Sequence, residues 1–206
     1  MDAITLLKKD HRTVEDLFKK FEKLGPRAKK GKREVVERII KELSIHAAVE
    51  ETVFYPAVRQ LIQDEKIEDL VLKSLEEHHI VKWLLSELEG MSPDHERFDA
   101  KVSVLMESVR HHVEEEEQDL FPAVAKAFGK ERLQDLGEAM AEAKKAAPTR
   151  PHPRSPDEPP MNVVAGAGAA ILDKAMDAGR KLVSETTRQA RSKADGARRQ
   201  AAGSRR

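Results

Sequence analysis

Two stretches of this 206-residue chain carry the residues that could do chemistry. The first reads His46-Ala-Ala-Val-Glu50-Glu51-Thr-Val-Phe-Tyr55-Pro56, the second His112-Val-Glu-Glu-Glu116-Glu117-Gln-Asp-Leu-Phe121-Pro122. In each, a histidine is followed by paired glutamates one turn on, then by an aromatic residue and a proline. Four residues of helix turn through about 400°, so His46 and Glu50 share a face one turn apart, as do His112 and Glu116. A neutral imidazole and a carboxylate so placed can hold one transition-metal ion between them. A lone HxxxE is common on solvated helix faces; two copies with matching flanks need another explanation.

Apolar spacing predicts the elements that position these stretches. Leu7, Val14, Leu17, Phe18, Phe21 and Leu24 follow the helical rhythm over residues 3–24, and Gly25-Pro26 stops that helix. A second helix starts near Lys32, with Val35, Ile39, Leu43 and His46 on one stripe. Pro56 ends or bends it near Tyr55, leaving a brief continuation to about Ile62. A third spans residues 65–89 with Leu75, His78, Val81, Leu84, Leu85 and Leu88 in register, closed by Gly90. Ser92-Pro93 has the form of an N-cap and first-turn proline opening the fourth. The fourth carries Val102, Leu105, Val109, His112 and Glu116 before Pro122 interrupts it. A turn through Phe128 and a short fifth helix over 131–146 complete the compact part. The expected fold is all-α, an up-down-up-down four-helix bundle.

The helices also match in pairs. Asp10-His11 and Glu77-His78 are followed by apolar residues at the same offsets: Val14 and Val81, Leu17-Phe18 and Leu84-Leu85, Phe21 and Leu88. The first 146 residues therefore read as two similar hairpins, each supplying one single histidine and one HxxxE. His11, His46, His78 and His112 all fall on apolar stripes, where leucine or isoleucine would be ordinary. Buried carboxylates among them would be costly without partners. Four imidazoles and two carboxylates exceed what one tetrahedral zinc needs and suit two ions, with Glu50 and Glu116 bridging. Without thiolate the set favours iron, manganese and zinc being alternatives. The ferritin-like arrangement, Glu-x-x-His on two helices, is met only by Glu76-x-x-His79 and is unpaired.

The pattern H…HxxxE…H…HxxxE, with HAAVEETVFYP and HHVEEEEQDLFP, resembles the hemerythrin-like HHE cation-binding domains over about residues 1–145. The resemblance implies a hemerythrin-like bundle and a non-heme centre of two iron ions, with chemistry towards dioxygen, nitric oxide or peroxide. Carried over by position, the metal ligands are His11, His46, Glu50, His78, His112 and Glu116. Oxygen-carrying members have a further histidine one turn before the position of His78, where this chain has Ser74. An open position or another ligand is expected there, in place of a reversible oxygen carrier.

Other polar residues receive lesser readings. His79 and His111 lie about 100° round the helix from ligand positions and are expected beside the site or on the surface. His95 and His152 are expected to be solvated. Glu51 and Glu117 could bind metal in place of Glu50 and Glu116, but supporting the site or facing solvent is the favoured expectation. Tyr55 could offer a phenolate, but its repeat counterpart is Phe121, which favours aromatic packing beside the proline.

Zero net charge conceals an asymmetry: residues 146–206 carry 12 Lys and Arg against 6 Asp and Glu, so residues 1–145 are net acidic. Residues 147–160 form a proline-rich linker expected to be extended, and 161–206 a basic Ala/Arg-rich extension, helical or disordered. An acidic partner would suit that tail. The longest uncharged apolar run, Val163 to Leu172, is half of the roughly 20 residues a membrane span needs. With no secretory signal and no cysteine, a soluble protein of the reducing cytoplasm is expected. Oligomeric state is not legible. Two readings of function follow: a di-iron protein binding or reacting with dioxygen, nitric oxide or peroxide in stress defence or sensing, or an iron- or redox-responsive module contacting a partner through its tail. Metal storage would be poorly served by two ions per chain.

Overall fold

The structure is a computed structural model that describes residues 1–153. Among these residues every regular element is helical. Asp2 opens α1 (Ala3–Glu22) as N-cap, accepting from the Thr5 amide at 2.9 Å and from its hydroxyl at 2.6 Å. α2 (Lys29–Val49) returns beside it, and Asp64 caps α4 (Glu65–Gly90) through the amides of Lys66 and Ile67. At the far end of α4, the Arg33 guanidinium donates to the carbonyls of Leu88, Glu89 and Met91 at 2.9–3.2 Å. This satisfies helix-end acceptors and ties α4 to α2.

α5 (Phe98–Glu115) starts later than the sequence suggested. Ser92 does not cap it: its hydroxyl accepts from the Asp94 amide, and the His95 ring accepts from the Arg97 amide, so residues 92–97 spend their polar groups on turns.

Neither HxxxE stretch ends its helix. Each widens into one π-helical turn, Glu50–Phe54 and Glu116–Leu120, closed by the Tyr55 amide on the Glu50 carbonyl and the Phe121 amide on the Glu116 carbonyl. The cause is the proline that follows. Its ring would strike the carbonyl four residues back and it has no N–H to give. The wider turn relieves both demands, so the chain continues as α3 (Tyr55–Leu61) and α6 (Phe121–Ala146). Inside α6, Gly129 at φ +71° breaks the helix after Phe128. The part beyond it packs back along α1. Residues 147–153 begin the expected linker but lie against the bundle, with Pro151 buried and Arg150 3.4 Å from Glu89. The rest of the linker and the basic tail lie outside the described residues.

The bundle buries two separate apolar clusters. One gathers Leu7, Val49, Phe54, Tyr55, Leu75, Phe121 and Met140; the other gathers Val14, Phe18, Ile39, Leu43, Val81, Leu85, Phe98 and Leu105. On each long helix a histidine falls between the two, as His11 does between Leu7 and Val14. No described helix is long and apolar enough to cross a membrane.

α6 fits against the start of α1 at Gly137, where an added Cβ would lie 2.2 Å from the Met1 carbonyl oxygen and 2.7 Å from the Ala3 nitrogen. Alanine in a helix interior normally gains about 1 kcal/mol over glycine. Here Gly137→Ala should instead destabilise by a net ~1–2 kcal/mol, lowering the melting temperature by roughly 2–8 °C. Calorimetry reads this; an unchanged or raised melting temperature would show that α1 yields at no cost.

Candidate metal centre

The four histidines and two glutamates of the repeat meet in the waist between the apolar clusters. All are buried, from 6% exposure at His11 to 0% at Glu50. Nε2 of His46 lies 3.0 Å from Glu50 Oε2, that of His78 3.3 Å from the same oxygen, and that of His11 3.3 Å from Glu116 Oε2. His112 Nε2 is 3.6 Å from Glu116 Oε2. The donor atoms form two overlapping groups, His11, His46, Glu50 and Glu116 and then Glu50, His78 and His112, each within 4.8 Å.

Among these atoms only the Nε2 nitrogens of His78 and His112 meet as a hydrogen-bonded pair. His11 Nε2, His46 Nε2, both Glu50 oxygens and Glu116 Oε2 are buried and have no hydrogen-bond partner. Six donors aimed at a common space, most of them otherwise unsatisfied, are what cations would require. His78 Nε2 and His112 Nε2 stand 3.1 Å apart. Their Nδ1 atoms face carboxylates, so in the neutral tautomers two lone pairs point together. A proton or a cation must separate them.

The outer ring nitrogens show a second order. Glu117 Oε1 accepts from His11 Nδ1 at 2.9 Å, Glu51 Oε1 from His78 Nδ1 at 3.0 Å, and Glu77 Oε2 from His112 Nδ1 at 2.8 Å. Asp10 Oδ2 stands 3.7 Å from His46 Nδ1, a looser link. Such partners fix which nitrogen is free for a metal and hold the ring plane. Each carboxylate adjoins a candidate ligand in the chain but serves the histidine of the next helix. Glu51 and Glu117 were legible as supporting residues. Asp10 and Glu77 were missed, although an acidic residue directly before each single histidine was the available signal.

Tyr55 departs most from expectation. Its ring packs 5.5 Å from that of His78, but its hydroxyl also enters the site, donating to Glu116 Oε1 at 2.9 Å and lying 3.4 Å from His78 Nε2. Buried Ser74 hydrogen-bonds the same phenol. In an unbroken α-helix Tyr55 would lie about 180° from His46, whereas the extra residue of the π turn brings it to about 80°, near Glu50. Phe121, at the matching place, stacks on His11 at 5.8 Å. His111 is exposed beside Glu115 at 3.5 Å, His79 and His152 are exposed, and His95 belongs to the turn before α5.

Residues 2–124 match the Hemerythrin HHE cation binding domain family, and the chain belongs to it. An uncharacterized hemerythrin-like protein of Schizosaccharomyces pombe is 34% identical over 136 residues, 66% of each chain. A DNA nickase of a Nostoc species is 28% identical over 144 residues, 70% of this chain and 39% of that protein. The chain thus spans about two thirds and two fifths of these relatives' lengths. In fold it is similar to the crystal structure of a hemerythrin HHE cation-binding domain-containing protein from Mycobacterium kansasii, with a TM-score of 0.60 and 23% identity, covering 70% of this chain and 86% of that one. The domain is a cation-binding hemerythrin-like bundle.

Protons hold the waist together when metal is absent. Burial opposes charge on His46, but Glu50 and Asp10 outweigh it and raise the imidazole to about 10; Glu50 and Glu51 likewise outweigh burial at His78 and raise it to about 9. Burial together with Glu116 and Glu50 pushes the Tyr55 phenol well above its ordinary value, so it remains a donor. Both histidines are raised in the folded state. Their stabilisation is therefore complete below the unfolded value of about 6.5 and is lost as pH climbs through 9 and 10. Metal-free protein should melt at falling temperature between pH 6.5 and 10, and metal binding at pH 7 should release protons. Titration calorimetry with cobalt(II) in two buffers of different ionisation enthalpy counts them; zero release would contradict protonated His46 and His78.

Proposed function

We propose that this domain is a non-heme di-iron protein that binds or reacts with dioxygen, nitric oxide or peroxide. The observation that carries the reading is the pair of overlapping donor groups sharing Glu50 at the buried waist. His11, His46, Glu50 and Glu116 would hold one ion, and Glu50, His78 and His112 the other. Imidazole and carboxylate without thiolate supports iron. Bound iron would supply two oxidation states and a coordination position for a small ligand.

The chain's own groups restrict what that ligand can be. A cavity of about 20 Å³, walled by the four histidines with Val14, Leu43, Val81, Val109 and Val113, has room for little more than one water-sized molecule. Organic substrates are too large for it. On the side of the three-donor group, the protonated Tyr55 hydroxyl, held by Ser74, presents a proton beside His78 and Glu116. A phenol and a serine where oxygen carriers of the resembled type have histidine favours reaction over reversible carriage.

Purified protein should contain about two iron ions per chain, by analogy with two-metal sites. His112→Ala and Glu116→Ala should each lower that content sharply, whereas His95→Ala should leave it intact. Elemental analysis giving equal iron in all three would refute the ligand set. In stopped-flow absorbance, anaerobically reduced protein should oxidise in air without a lasting oxygen adduct, and should form a distinct nitric oxide adduct or, once oxidised, consume peroxide. An adduct that releases oxygen on degassing would restore the carrier reading.

A further inference from the structure

The two hairpins repeat, but the chain after their π turns does not. Beyond Glu116–Leu120 the helix runs on as α6, and Phe121 lies flat against His11, 11° from parallel, closing that side with an apolar ring. Beyond Glu50–Phe54 the chain has only the seven residues of α3 before Ile62 adopts an extended conformation and the chain turns into α4. Between α3 and α4 this leaves a cleft of about 390 Å³ lined by Glu51, Tyr55, Arg59, Gln60, Glu68 and Leu75, with Pro56 at its edge.

The floor of the cleft is made of groups that also hold the metal centre. Glu51, 6% exposed, accepts from His78 Nδ1, and Tyr55, 1% exposed, donates to Glu116. Between cleft and donor atoms stands the thickness of one side chain. Charge at the floor is matched: Lys82 donates to Glu51 Oε2 at 3.0 Å. At the rim, Arg59 and Glu68 pair at 3.1 Å across α3 and α4. Nothing in this lining concentrates anions, while the phenol and carboxylate offer hydrogen bonds to small neutral molecules.

We propose that this cleft is the entrance through which small uncharged molecules, of the size of water, nitric oxide or hydrogen peroxide, reach the metal pair, with Tyr55 the side chain that parts to admit them. For nitric oxide and peroxide the inference rests on the function proposed above; for water it needs only a bound cation.

The chain has no cysteine, so one introduced thiol is a unique handle. Gln60→Cys places it at the exposed lining of the cleft, away from every candidate ligand. Lys126→Cys places it at the matching point of the other hairpin, five residues after Phe121 as Gln60 is after Tyr55. Each full-length variant is loaded with metal and then alkylated with a bulky maleimide, so folding and loading precede the block. With manganese(II) bound, water-proton relaxation reports water exchange at the metal. With iron bound and reduced, stopped flow reports nitric oxide association. Alkylated Gln60→Cys should lose several-fold in relaxation enhancement and at least ten-fold in association rate, with an unchanged adduct spectrum and metal content. Alkylated Lys126→Cys should match the unlabelled protein. Unchanged rates after blocking Gln60→Cys, or equal losses in both variants, would overturn the entrance. Absence of any nitric oxide adduct in the unmodified iron protein, together with no peroxide consumption once it is oxidised, would overturn the proposed function instead, while the manganese comparison still decides the route of water.

Discussion

Everything in this bundle answers to one constraint: six polar donors are buried between two apolar clusters. An unpaired ion in such a place costs several kcal/mol even after relaxation. The cost is offset in concentric layers. Inner nitrogens and oxygens face a space suited to cations, outer ring nitrogens face four carboxylates, and each of those carboxylates faces a lysine. Lys144 meets Asp10, Lys82 meets Glu51, Lys73 meets Glu77, and Lys8 meets Glu117. The lysines are mostly part-exposed, so charge is handed outward until water can solvate it, with Lys82 the buried exception.

Sequence legibility followed from how much each feature depends on local rules. Apolar stripes and HxxxE spacing are strictly local, so the four long helices and the six convergent side chains could be read directly. The hydroxyl of Tyr55 was ranked below its ring packing because a π turn changes helical phase by one residue, and Pro56 announced a disturbance without its sense. The α5 start was misplaced because Ser92 and Pro93 suit a turn as well as a cap. Asp10 and Glu77 escaped because they act on histidines of the neighbouring helix, which periodicity along one helix cannot reveal.

The internal repeat is a scaffold on which the two halves diverge. Tyr55 stands opposite Phe121, Ser74 opposite Leu7, and the short α3 opposite the long α6. One half is therefore apolar and covered, the other polar and reached by a cleft. The candidate donor groups keep the two-fold repeat that their surroundings have lost, so a cation held by one group would meet different neighbours from a cation held by the other.

The carboxylate links also have a direction. Asp10 on α1 faces His46 on α2, Glu51 after α2 faces His78 on α4, Glu77 on α4 faces His112 on α5, and Glu117 after α5 returns to His11 on α1. They close into a hoop around the waist, one link between each neighbouring pair of helices. A hoop resists dilation: helices cannot spread at this level without parting two links at once. The bundle is braced in girth at the level of the candidate centre, so that passage to the interior would fall to the rotation of single side chains.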